Sequence, residues 1–188
     1  MSAGVIFLAR RRPGATEAAL GAVLRRAGIL AGEGWLLDPH AALGRPEAGR
    51  PRCYEASAFQ ALDVFGVFEA PDADAAHRGI SLLAGDGWGS LFEETMWLVG
   101  PRDLPPVAGA GPHPGALGFL ALWDWNDAWH AAGAEERRSY DAECDVAFDF
   151  DVSLGIDLFG RFRTSGESGW DHVALWEFAT PPEETIRL

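Results

Sequence analysis

Lysine is absent from this 188-residue chain, so all fifteen of its basic residues are arginine. That excludes Schiff-base catalysis by a side-chain amine, lysine-anchored pyridoxal phosphate and a P-loop, each of which needs the primary amine. Cysteine is scarce: Cys53 and Cys144 lie one in each half, at no spacing that builds a structural zinc site, and read as two free thiols. No long hydrophobic run exists, since the longest, around Leu117 to Trp123, is far short of the roughly 20 residues a membrane helix needs. Positive charge is outnumbered by 28 acidic residues, leaving a net charge of −13 that repels phosphate backbones and argues against nucleic acid as a partner. Arg10-Arg11-Arg12 follow the first apolar segment, the reverse of a secretory signal, so a cytoplasmic protein is expected.

What is present is an ordinary globular content of 48% apolar residues, arranged in a repeating order of elements. Residues 4 to 9 read as a buried strand. A helix from Thr16 follows, with Leu20, Val23, Leu24 and Ala27 at i, i+3, i+4 and i+7. Cys53 to Phe59 and Leu62 to Phe68 read as strands, Asp74 to Leu83 as a helix with Ala76, Ile80 and Leu83 on one face, and Thr95 to Val99 as a strand. The order β-α-β-β-α-β is the split βαβ, or ferredoxin-like, arrangement. Five prolines between 101 and 115 predict an extended linker. The second half repeats the series: a strand at Leu117 to Trp125, helical sequence from Asn126 with Tyr140, Cys144 and Phe148 at i, i+4 and i+8, and strands at Asp157 to Arg163 and Trp170 to Phe178. The junctions Val67-Phe68-Glu69 and Leu175-Trp176-Glu177 match, with their glutamates 108 positions apart. The organisation expected is a first repeat over 1–100, a linker over 101–115 and a second, incomplete repeat over 116–188. The last helix and strand are missing from that second repeat, and the open sheet edge this leaves predicts a homodimer.

This pattern, with Trp-rich strands, the junction Trp176-Glu177 and the segment Gly87-Trp88-Gly89-Ser90-Leu91-Phe92, resembles the dimeric α+β barrel superfamily, in which two ferredoxin-like units place their sheets face to face. The resemblance implies an α+β fold with a pocket. The superfamily includes cofactor-independent monooxygenases of antibiotic biosynthesis, polyketide cyclases, darcynin-like proteins and haem proteins such as chlorite dismutases, so it implies no single reaction.

Strand alternation separates Val173 and Leu175 from His172, Ala174 and Trp176. The first set, with Phe65 and Val67, is expected to pack on helices, leaving His172, Trp176 and Phe68 toward a barrel lumen. His172 is the candidate acid or base, the alternative being a strand-end histidine bonded to a loop carbonyl. Arg161, expected on one strand face with Phe159 and Arg163, is the candidate anion-binding group, or else part of a salt bridge. Trp123 and Trp125, sharing a face with Phe119, suit a flat aromatic or polyketide-like substrate, or else the core. Asn126, the only asparagine, is placed for a helix N-cap. No histidine pair stands at ligand spacing, and no metal is expected. The main expectation is a cofactor-independent monooxygenase or cyclase. The alternatives are a haem enzyme with His130, His172 or His77 as its single axial ligand, and a non-catalytic binding or assembly module.

Overall fold

The computed structural model describes residues 1–43, 51–59, 62–109, 117–164 and 169–178. Strand β1 (Ala3–Arg11) leads to helix α1 (Glu17–Arg26), whose first turn is capped by the Thr16 side chain accepting from the Ala19 N–H. Strands β2 (Cys53–Phe59) and β3 (Leu62–Ala70) follow, then α2 (Ala73–Gly85), capped by Asp72, the short α3 (Trp88–Leu91) and the long β4 (Phe92–Leu104). The second half supplies β5 (Leu117–Trp123), α4 (Asp127–Ala131), α5 (Ala134–Ser153), β6 (Asp157–Arg163) and β7 (His172–Phe178). Asn126 is indeed an N-cap: its Oδ1 accepts from the Trp129 N–H at 2.9 Å.

The seven strands form one antiparallel sheet in the order β2-β3-β1-β4-β6-β7-β5. The first four are a complete ferredoxin-like unit. The α+β class expected from element order is the observed one. β4 is longer than the sequence implied, because its final residues leave the first unit and pair with β6, Arg102 opposite Phe162 and Leu104 opposite Arg161. Residues 101–104, read as linker, are therefore strand, and two of them carry the ladder that joins the halves. The prolines at 112 and 114, residues 44–50 and 165–168 and the segment after Phe178 lie outside the described residues.

Two cores lie on opposite faces of this sheet. Val5, Phe7, Val64 and Phe68 pack against Leu20, Val23, Leu24, Ala76, Leu83 and Trp88 of the first half's helices. Ile6, Leu8, Phe65, Val67 and Leu98 point the other way and meet Phe159, Phe162, Val173 and Leu175 from the second half. This shared core is the barrel interior. The faces are therefore the reverse of those expected: Phe65, Val67, Val173 and Leu175 fill the interior, while His172, Ala174 and Trp176 face outward toward α4 and α5. Alternation defines two faces but not which one is inside, and in β1 and β3 both are apolar.

A bulge refines the second half further. The β6–β7 register shifts between Leu158 and Gly160, and Gly160 adopts φ 108°, where a Cβ would meet the Arg102 guanidinium and the Leu104 carbonyl. The extra residue lets Phe159 and Phe162 both enter the shared core, so Phe159 does not share a face with Arg161.

Candidate functional site

The outward face of β5, β7 and β6 forms a floor whose relief follows from register. Ala121, Ala174 and Arg161 lie side by side across the three strands. Two residues along in one direction is the pair Phe119 and Trp176, and in the other the row Trp123, His172 and Arg163. At about 3.4 Å per residue the two aromatic rows stand about 14 Å apart, with a low floor of alanines between them. Above this floor runs α5, which presents Tyr140, Cys144 and Phe148, one turn apart, to the sheet.

α5 has 20 residues, none of them buried. A helix touching a sheet directly would bury a stripe; this one is held off, and the gap beneath it is a cavity of about 620 Å³. Ala121, Trp123, Trp125, Trp176 and Arg161 line it from below and Tyr140, Cys144 and Phe148 from above. At one end Trp125 stacks on Trp129 at 4.0 Å between ring centroids, and both meet Tyr140 edge-on. At the other, Phe148 and Trp176 are 6.1 Å apart. The loop carrying Trp125 is fastened to the start of β7, its N–H donating to Asp171 Oδ2 and Asp124 Oδ1 accepting from the Asp171 N–H.

Next to this apolar cavity, and sharing Trp125, Trp129 and Arg161 with it, is a polar one of about 370 Å³. Arg137, Arg163, His130 and His172 face Asp103, Asp141 and Asp171 there. Arg161 Nε donates to Asp103 Oδ1 at 3.0 Å, and His172 Nε2 lies 3.6 Å from Asp103 Oδ2. Asp103 Oδ2 and His172 Nδ1 are buried and lack a hydrogen-bond partner among the described residues. Burial lowers the His172 pKa, against the opposing pull of Asp103, so the imidazole is neutral at neutral pH. The Tyr140 hydroxyl titrates above its ordinary value, pushed up by the neighbouring Cys144 thiol and by burial.

Four of the residues singled out in sequence, Arg161, Trp123, Trp125 and Trp176, thus line one cavity, although it lies between sheet and helix rather than in the barrel lumen. His172 lines the polar neighbour, its ring stacked on Trp123. Phe119 is 56% exposed and touches Trp176 from the rim, facing a separate groove beside Leu120 and Leu122. Phe68 stands apart, fully buried between Phe7 and Trp35 in the first half's helix-side core. Of the histidines considered as axial ligands, His77 is on α2 in the other half, exposed, while His130 and His172 reach only the polar cavity. Tyr140, Cys144 and Phe148 had been visible only as a helical period; their spacing announced a face, not what it faces.

A second polar cluster lies at the end of the shared core. Glu177 receives Arg52 Nη2 at 2.5 Å and Arg52 Nε at 3.0 Å, the Tyr54 hydroxyl, and faces His40 Nε2 at 3.0 Å. His40, Asp157 and Glu177 bring ligand atoms within 4.8 Å of one another. The guanidinium already supplies the positive charge there, so the cluster reads as an ion-pair network. Burial pushes the Glu177 carboxyl up, but the hydrogen bonds from His40, Arg52 and Tyr54 outweigh it and bring the pKa down to about 2.

No protein-family model and no curated protein matches this chain. Solved structures do. A doubly substituted variant of the chlorite dismutase from Candidatus Nitrospira defluvii superposes with a TM-score of 0.66 over 99% of this chain and 79% of its own, at 12% identity. The same enzyme in complex with imidazole gives 0.63 over the same shares, at 14% identity, and a variant in complex with cyanide gives 0.62 at 13%. At such identities the likeness establishes the fold alone, which is the one seen in these chlorite dismutase structures. It overturns the expectation of a cofactor-free protein, because the neighbours found belong to the haem-binding branch named above and not to the cofactor-independent monooxygenases or cyclases.

Proposed function

We propose that this chain is a haem-binding enzyme that holds the macrocycle between the β5–β7 floor and α5. The observation that carries this reading is the standing-off of α5: a 20-residue helix with no buried residue over an aromatic cavity of about 620 Å³. A flat apolar disc of porphyrin dimensions fits the roughly 14 Å between the aromatic rows and gives α5 the partner it otherwise lacks. Haem also carries carboxylates, and the adjoining cavity offers Arg137 and Arg163 to receive them. The donor set fits an iron as well, since Tyr140 and Cys144 from above are both ligand types that haem iron accepts.

Each residue then has a task that its position supports. Trp123, Trp125, Trp176 and Phe148 exclude water and fix the plane of the ring, as aromatic walls do in cofactor sites. Arg161, oriented by Asp103, places a planar cationic fork at the junction of the two cavities, where it can hold a small anionic substrate. His172, neutral and packed on Trp123, steers the Asp103–Arg161 pair and has a nitrogen to spare for a proton. When bound, the iron supplies the redox and oxygen chemistry that no side chain here possesses. The imidazole and cyanide complexes of the related enzyme show that its fold admits small ligands of the kind iron takes up.

The test is titration of the purified full chain with ferric haem, followed by absorption. A saturable Soret band with one haem per chain is expected, and Ala121→Trp, which fills the floor, should abolish it while leaving the melting temperature of the ligand-free chain within a few degrees. Absence of a saturable band in the wild type, or a band indifferent to Ala121→Trp, would exclude this site.

A further inference from the structure

We infer that the gap between the edges of β2 and β5 is a docking slot for one extended, positively charged segment of a partner protein, which enters as a further strand and pairs on both sides. The inference is independent of the haem reading. Gly4 lies opposite Glu69 in the β1–β3 pair and Gly118 opposite Glu177 in the β5–β7 pair; Tyr54 lies opposite Phe65, and Phe162 opposite Val173. These registers make β5 the counterpart of β1, and β6 that of β2. β4 runs between β1 and β6 and is bonded to both. Inside the barrel the two strands flanking it still meet, since a Cβ on Gly4 would stand 2.5–2.7 Å from the Phe162 ring. The same meeting recurs between β5 and β2, where a Cβ on Gly118 would stand 2.7–3.1 Å from the Tyr54 ring. Among the described residues no strand runs between these two, and each is the last of the sheet on its side.

The surroundings show what a strand would cover there. A groove of about 580 Å³ follows the gap, with Leu8 and Phe65 of the shared core at its base, Ala56 on one wall and Leu120 and Leu122 on the other. On β1, which β4 covers, Val5, Ile6 and Leu8 are at most 3% exposed. Their counterparts on β5 are not: Phe119 is 56% exposed, and Leu120 and Leu122 are half-buried. Leu98 and Met96 of β4, opposite Ile6 and Leu8, point into the shared core. The occupant therefore needs apolar residues two apart, opposite Leu120 and Leu122, and an outward one to cover Phe119. The slot also selects the kind of partner. Its walls belong to one curled sheet and stand one strand apart, about 9–10 Å, so another sheet cannot enter by its edge, and every described strand of a second copy is held in its own sheet. A lone segment fits, taking affinity from main-chain bonds and selectivity from alternate side chains. Its charge follows from the net −13 of the chain and from Glu55 on the β2 wall, whose carboxylate is 82% exposed beside Arg11.

The probe is a fluorescently labelled peptide carrying the sequence of residues 95–100 of β4 between paired lysines, titrated into the full chain and followed by anisotropy. Saturable binding is expected, with amide exchange slowed in β2 and β5 and unchanged in α1 and α2. Successive N–H groups of a strand point to opposite sides, so peptides N-methylated at the position of Leu98 or at that of Val99 separate the alternatives. In a slot both bonds are made, and each methylation should weaken binding about tenfold. A single sheet edge would feel only one of the two and apolar contact alone neither; either pattern overturns the slot. Leu122→Glu on the groove wall should weaken binding at least about tenfold, whereas Val146→Glu, 71% exposed on α5, should not. Ligand-free melting curves verify that both variants fold, and the methylated pair decides the matter if Leu122→Glu does not. Glutamates in place of the lysines should abolish binding; undiminished affinity overturns the charge assigned to the partner. A free chain whose β2 and β5 amides are already protected and which binds no peptide has its slot filled from within, and that result, like any failure to saturate, overturns a partner strand.

Discussion

Glu177 is a fully buried carboxylate that stays ionised because three neighbours from distant parts of the chain donate to it. Its pKa falls from 4.5 to about 2, so it stabilises the folded state fully above pH 4.5, and that contribution drains away as the pH falls toward 2. Glu177→Gln leaves the Arg52 guanidinium buried without a counter-charge and should cost about 3 kcal/mol in urea unfolding at neutral pH. The same variant should flatten the stability curve between pH 5 and 2; a slope equal to the wild type's would show that another group carries the acid sensitivity. Its repeat partner Glu69 is built alike, facing the shared core with Arg102 Nη2 at 2.6 Å. The matching of these two glutamates was visible in the sequence, yet only as the mark of a duplication. What they do was hidden because Arg52 and Arg102 lie 125 and 33 residues away from them, beyond any local pattern.

At the level of elements, hydrophobic period sufficed wherever one face is wet. The start of α1 beside Thr16, its apolar stripe and the bounds of β6 all appear where the sequence places them. It failed where both faces are covered: β7 contacts an apolar core on one side and a cavity on the other, and alternation alone gave the cavity the wrong address. The same limit applies to close approach between elements. Gly79 on α2 lies against the Trp35 indole, whose Nε1 donates to the Ala75 carbonyl at 3.1 Å, and a methyl group there would collide with the ring. Alanine normally gains about 1 kcal/mol over glycine within a helix. The overlap should reverse that sign, so Gly79→Ala is expected to lower stability by about 1–2 kcal/mol. Gly85→Ala in the same helix meets no atom within 4 Å and serves as the control, with no loss in thermal melting. Equal melting temperatures for the two variants would mean that Trp35 yields at no cost.

Across the molecule the two halves are unequally finished. Three helices cover the first half's outer face and bury its large side chains, whereas α4 and α5 bury none of theirs over the second. Stability is therefore distributed unevenly, and amide protection should follow it: α1 and α2 exchange slowly, while α5, without a packed stripe, opens at low free-energy cost. Occupation of the cavity supplies that stripe. With haem at about 100 times its dissociation constant, mass action adds about 2.7 kcal/mol, which for a chain of this size corresponds to a rise of about 5–10 °C in melting temperature. Hydrogen exchange locates the gain. Protection should rise in α5 and in β5 to β7 and remain unchanged in α1 and α2, because the first half's helix-side core lies across the sheet from nothing that haem touches. A uniform rise over both halves would show instead that the shared core transmits the effect, through β4 and its ladder with β6, and that the molecule opens as a single cooperative unit.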